Sequence, residues 1–215
     1  MQFTGFEILK KLSRPIPGSL IQVGAHNAEE VSAYRAYGVE SAILIDPLDN
    51  CIASIKAAVA DSPSYIPVQA VCSNTCGKEI KFHVASNWGA SSSILPPANH
   101  INAHPEVSFD QSIALTTTTV DKIVADVRLE YGLNRPFEFI FLDCQGAELM
   151  VLQGAQSALT EAKYVYTEVS HGGLYEGDVS FFDMLSFMRV WGFDLYDLEM
   201  NSKKYGDALF IKRDI

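Results

Sequence analysis

Three acidic residues stand where a fold can most easily put chemistry, at the end of an apolar run: Asp46 after Ala42–Ile45, Asp143 after Phe137–Leu142, and Glu168 near the end of Ala162–Val169. In an open α/β sheet, ligands settle in the crevice beyond the carboxyl ends of the strands. An acid at the tip of a second strand can accept both hydroxyls of a ribose. The other reading of Asp46-Pro47, a turn-forming dipeptide, explains the pair but not its place after a buried strand. Residues 19–46 read as strand, turn, helix and strand. Ser19–Val23 is an apolar run broken by Gly24, and Val31, Tyr34 and Gly38 share one helical stripe. That is a nucleoside-binding βαβ unit. Gly24, Ala25, His26, Asn27, Asp46, Pro47, Ser73 and Asp143 are the residues expected to line its strand ends.

The remaining chain must position these groups. At 215 residues, with 48% apolar and 20% charged positions, it is one globular domain with a sizeable core. Net charge is −10, from 26 acids against 16 bases, and this repels phosphate backbones and anionic lipid. Nucleic acid and membrane surfaces are therefore poor partners. Cys51, Cys72, Cys76 and Cys144 lack a paired CxxC spacing and read as reduced, buried thiols. With no bilayer-length apolar run and no signal peptide, a soluble, cytoplasmic protein is expected.

In chain order, Met1–Lys11 predicts a short helix, packed on the sheet edge or over the site, and residues 1–18 form an extension. Asp49–Asp61 predicts a helix, Tyr65–Cys72 a third buried strand, and Lys78–Ala85 an edge strand. Residues 86–111 lack any period and contain Asn87, Trp88, Ser91–Ser93 and Pro96-Pro97, which predicts a lid or substrate loop. Extended chain over 113–120 and helix over 121–131 follow. Next come the most apolar strand, 137–142, a helix over 147–159, a fifth strand over 162–169 and a helix over 179–191. Phe193–Met200 and Asp207–Lys212 form a terminal hairpin around Lys203-Lys204-Tyr205-Gly206. Alternating strands and helices predict a doubly wound parallel sheet, here with an antiparallel last strand.

The pieces VGAHNAEE, LIDPLDN, TTTVDKI, FIFLDCQGAELMVLQGA and EVSHGGLYEG, in that order, resemble the FkbM-type S-adenosylmethionine-dependent methyltransferases. The likeness spans nearly the whole chain. Its most specific part is Phe141–Ala155, similar to the family's D-x-x-G-x-E-x-x-V-L-x-G-A. The resemblance implies a Rossmann-like sheet of seven strands with a reversed C-terminal strand, a single methyltransferase domain over 19–215, and S-adenosyl-L-methionine as cofactor. It also implies transfer of a methyl group to a hydroxyl of a sugar or other small molecule. The first loop departs from the family's D-V-G-A-N-x-G, because Gln22, His26 and Ala28 replace the acid, the asparagine and the second glycine. Gln22 can hydrogen-bond the methionine end of the cofactor but cannot neutralise its ammonium. Ala28 is sterically acceptable at negative φ.

Within that resemblance the expected catalytic residues are Asp143, Glu168 and His171. Asp143 would lie by the transferable methyl, or else cap the helix over 147–159. His171 can deprotonate a hydroxyl near neutral pH, or sit solvated before Gly172-Gly173. Glu148 reads first as a partner of that helix's dipole. Asp143 with Glu168 is also a candidate pair for Mg²⁺ on vicinal hydroxyls. His100 and His104 have H-x-x-x-H spacing, but the Pro and Asn nearby argue against a helix that would align them on zinc. Trp88 either stacks on a substrate ring or anchors its loop. Two rivals stay open: an NAD(P)-dependent oxidoreductase, disfavoured by the missing G-x-G-x-x-G and by the hairpin, and a non-catalytic nucleoside-binding protein of the same fold. The sequence leaves a homo-oligomer open.

Overall fold

The computed structural model describes residues 3–202 and 205–213. Met1 and Gln2 of the expected first helix, Lys203 and Lys204 of the expected hairpin turn, and Asp214 and Ile215 lie outside them. Eighteen elements follow in order: α1 (Gly5–Lys11), β1 (Ser19–Val23), α2 (Val31–Ala36), β2 (Ser41–Asp46), α3 (Asp49–Ala58), β3 (Tyr65–Gln69), β4 (Val71–Cys72), β5 (Glu79–Val84), α4 (His100–Ala103), β6 (Gln111–Thr118), α5 (Val120–Tyr131), β7 (Phe139–Leu142), α6 (Glu148–Gln153), α7 (Gln156–Glu161), β8 (Tyr164–Ser170), α8 (Phe181–Val190), β9 (Phe193–Met200) and β10 (Tyr205–Lys212).

The main sheet has seven strands in the order β3-β2-β1-β7-β8-β10-β9. Strands β3 to β8 of this sheet pair in parallel, and β10 runs antiparallel to both β8 and β9. The expected doubly wound sheet with a reversed final strand is therefore the observed one. Strands β1, β2 and β7 are buried along their whole length because helices cover both faces. Ile21, Ile43 and Ile140 point to the face under α5, α6, α7 and α8, whereas Leu20, Leu44, Phe139 and Phe141 point to the face under α1, α2 and α3.

Several expectations needed correction. Helix α1 packs on the middle of the sheet, not its edge or the site; the Phe3 ring just before it meets Phe139, Phe141 and Tyr166. The run 65–72 is not one strand. It divides at Ala70, whose N–H donates to the Asp46 carbonyl (3.2 Å), and β4 leaves for a second sheet ordered β4-β6-β5. Strand β5 is thus an edge of the small sheet. The helix expected over 147–159 breaks into α6 and α7 at Gly154, where a Cβ would stand 2.2 Å from the Ser73 carbonyl oxygen. Only glycine lets the two backbones approach so closely. Cys51 and Cys72 are buried, but Cys76 is exposed. No helix among the described residues is long and apolar enough to cross a membrane.

Candidate active site

A cavity of about 700 Å³ opens beyond the carboxyl ends of β1, β2 and β7, with β8, β10 and residues 87–107 forming its far wall. This is within the roughly 300–1,000 Å³ usual for small-ligand sites.

One end is built on the β1 turn. Gly24 adopts φ +83°, and a Cβ there would collide with the Asp143 carbonyl oxygen at 1.9 Å. The N–H groups of Gly24 and Ala25 both donate to the Ile45 carbonyl (2.9 and 3.0 Å), fastening the turn to β2. The next N–H, from His26, donates to Asp46 Oδ2 (3.0 Å), while that of Leu48 donates to Oδ1 (3.0 Å). Asp46 is only 6% exposed yet lines the cavity. Burial pushes its carboxyl above the usual range, and the two N–H donors oppose that shift. His26 places Nδ1 2.8 Å from Glu29 Oε1 and Nε2 3.3 Å from the Trp88 carbonyl.

Of the residues expected to hold a nucleoside, Gly24, His26, Asp46, Pro47 and Asp143 line this cavity. The others are not brought to it. Ala25 is buried in the core, Asn27 is exposed, and Ser73 packs beneath Gly154. Ala28 does not keep negative φ: it sits at +60°, the conformation that the family's glycine would take freely. Gln22 is 1% exposed and is not on the cavity wall; its Oε1 accepts from the Tyr34 hydroxyl (2.9 Å) and its Nε2 donates to Glu30 Oε2 (3.0 Å).

The other end is acidic. Asp143 is not the cap of α6, whose N-cap is Ala147; its Oδ1 instead accepts from Gln145 Nε2 at 2.7 Å. The same Nε2 lies 3.2 Å from Glu168 Oε2, so one amide bridges the two carboxylates. Gln145 is itself held by Tyr175, whose hydroxyl is 3.1 Å from Gln145 Oε1 and 2.9 Å from the Ser91 carbonyl. Glu148 turns back to accept the N–H groups of Cys144 (2.8 Å) and Gly146 (3.2 Å), which makes it a clamp on this turn. Asp207 stands opposite Glu168 in the β8–β10 register. Burial, reinforced by the neighbouring carboxylates, pushes Glu148 and Asp207 each up to about 7, and raises Glu168 well above its ordinary value. Asp143 is also raised, by burial first, with the Gln145 bond opposing.

His171 is exposed in the turn after β8 and does not line the cavity, so the structure does not unite it with Asp143 and Glu168. A hard cation needs about six oxygen ligands. Among the described residues no group of three or more His, Cys, Asp or Glu could hold one, and an amide N–H₂ occupies the place between Asp143 and Glu168. A single helical turn, α4, does begin at His100, but it ends at Ala103 with His104 as its C-cap; the two rings stack at 4.8 Å on the cavity wall. Trp88 is 83% exposed at φ +62° and anchors nothing with its ring in the core. Buried among acids, the Cys144 thiol is pushed well above its ordinary pKa and is a poor nucleophile.

The lid or substrate loop expected over 86–111 contributes to the cavity wall and is tied to the body of the protein. Ser93 exchanges backbone hydrogen bonds with His83, and its hydroxyl donates to the Gln145 carbonyl (2.8 Å). Glu30, Gln145, Tyr175 and Asp207 were missed by sequence reasoning. Gln145 alone carried a signal, since it lies inside the D-x-x-G piece.

Comparison with known proteins agrees with this architecture. The family profile of the Methyltransferase FkbM domain matches residues 22–195. The chain belongs to that family. Over 95 residues it is 36% identical to the 2-O-methyltransferase NoeI of Sinorhizobium fredii, a match covering 44% of this chain and 37% of that protein's length. Magnesium protoporphyrin IX methyltransferase from Synechocystis PCC 6803, solved with bound SAM, shares the fold at TM-score 0.52, with 7% identity over 97% of this chain and 76% of that one. TrmK of M. capricolum, solved with S-adenosyl-homocysteine, does so at TM-score 0.51, with 8% identity over 100% and 69%.

Proposed function

We propose that this chain is an S-adenosylmethionine-dependent O-methyltransferase acting on a hydroxyl of a sugar or other small molecule. One observation carries the cofactor assignment: Asp46, at the tip of β2, is held by two backbone N–H groups with its carboxylate on the cavity wall. With the Cys51 thiol as a third donor, the carboxylate still keeps acceptor capacity for a ribose hydroxyl. Leu48, Val71 and Phe82, packed together on the same wall, suit the faces of a purine. The donor set therefore fits an adenosyl group.

When bound, S-adenosylmethionine supplies a methyl carbon activated by a positively charged sulfur. An acceptor hydroxyl that took this methyl group, with the thioether as leaving group, would have to give up its proton to a base of the protein. Asp143 and Glu168 are the groups assigned to take it. Their raised proton affinity makes each a stronger base than an ordinary surface carboxylate. Gln145 holds the pair in register, and residues from the 87–107 segment form one wall of the cavity. An oxygen acceptor is favoured by the likeness to NoeI, a 2-O-methyltransferase of whose length the match spans little more than a third; the sugar or small-molecule class rests on the resemblance to the family.

The rival is a binding protein without catalysis, favoured by one observation, the left-handed backbone of His26 and Ala28 in the altered turn. Calorimetric titration with S-adenosylmethionine, S-adenosylhomocysteine and NAD⁺ separates the readings. Binding of both sulfur compounds, followed by methyl transfer to a sugar, is the expected result. Binding without transfer to any hydroxyl acceptor would favour the rival, and NAD⁺ as the sole ligand would favour an oxidoreductase.

A further inference from the structure

The family's acid at the end of the first strand is missing here, because Gln22 occupies its place. A bound amino-acid arm carries an ammonium, and a buried ammonium needs a counter-charge. We infer that Glu30 supplies it: the anionic partner of the ammonium has moved from the first strand to the start of α2. This rests on the cofactor reading above.

The arrangement around Gln22 is what assigns the role. The Tyr34 hydroxyl donates to Gln22 Oε1 (2.9 Å), which uses the amide oxygen and turns the N–H₂ toward Glu30 Oε2 (3.0 Å). Gln22 thus works as a neutral donor holding a carboxylate in place. Glu30 lines the cavity and Gln22 does not. Among the described residues Glu30 pairs with no Lys, Arg or His; burial raises its proton affinity while the Gln22 bond opposes that, so a cationic ligand is what would complete it. Its neighbour Glu29 also reaches the cavity wall but is engaged by His26 Nδ1 (2.8 Å) and the Asn27 N–H (3.1 Å). Gln22 suits this arrangement: a glutamate of the same length at 22 would face Glu30 at hydrogen-bond distance as a second like charge, and an aspartate, one methylene shorter, would lose the bond to it.

The test compares two ligands on the whole protein. S-adenosylhomocysteine carries the ammonium, whereas 5′-methylthioadenosine keeps the adenosine and the sulfur but lacks the amino-acid arm. In Glu30→Gln the amide oxygen still accepts from Gln22, so the fold has no reason to change. Calorimetry should show S-adenosylhomocysteine weakened roughly tenfold or more, the scale of a charged hydrogen bond, with 5′-methylthioadenosine changed less than about twofold. Equal weakening of both ligands, or no weakening of either, overturns the role of Glu30 and leaves the adenosyl site standing. A selective loss in Glu29→Gln but not in Glu30→Gln overturns it likewise. Failure of the unaltered protein to bind either thioether would sink the cofactor reading first, and this inference with it.

Discussion

Burial raises the carboxylates at both ends of the cavity, but the two ends surround them differently. At the β1–β2 end, Asp46 is satisfied by two N–H donors from a turn that is itself fastened to β2. At the β7–β8–β10 end, Asp143, Glu168 and Asp207 crowd together with Glu148 behind them; each is driven toward its protonated form by burial, and Glu168, Glu148 and Asp207 also by the charge of Asp143. The first arrangement fixes a negative charge in one place, as a binding group must. The second raises proton affinity toward neutrality, as a base must. The lesson is that a residue type predicts a role only together with its donors and its neighbours.

Substitutions can break that contrast, beginning with the acidic end. Asp143→Asn should lower kcat by about 10²–10⁴-fold, the usual contribution of a positioned base, while S-adenosylhomocysteine affinity measured by calorimetry changes little. If Glu168→Gln instead carries that loss, Glu168 is the base and Asp143 its partner. At the binding end, Gly24→Ala forces a Cβ onto the Asp143 carbonyl and should cost at least about 3 kcal/mol in denaturant unfolding. Asp46→Ala should weaken adenosyl ligands by at least tenfold, about 1.4 kcal/mol, without lowering turnover at saturating cofactor.

The contrast also has a pH signature. Carboxyls raised in the folded state bind protons that the unfolded chain has already released. Their stabilisation is complete below the unfolded carboxylate range and is lost as pH rises to about 7, the level reached by Glu148 and Asp207. Thermal unfolding should therefore give a higher Tm near pH 5 than at pH 8. Asp207→Asn should narrow the difference, and a Tm that rises across the window would contradict the crowding. The smallest effect is expected at Ala28, where relief of about 1 kcal/mol of left-handed strain in Ala28→Gly is offset by loss of a buried methyl group. Unfolding free energy should shift by under about 1 kcal/mol.

Sequence by itself determined the sheet and the acids at its strand tips. Runs such as Phe139–Leu142 are apolar without alternation because both faces of a parallel strand are covered, and that pattern is local. Asp46 and Asp143 were legible for the same reason, as polar residues ending apolar runs. The division of 65–72 and the break at Gly154 were not, since each depends on a distant backbone group, the Asp46 carbonyl in one case and the Ser73 carbonyl in the other. Only the tertiary structure decided which groups share the cavity. Asp207 reaches Glu168 through strand register, Glu30 reaches Gln22 across a turn, and His171, two residues beyond the end of the apolar run 162–169, is carried away by the turn that follows. Side chains far apart in sequence, or near it but past a turn, meet or miss according to backbone direction, which no local pattern records.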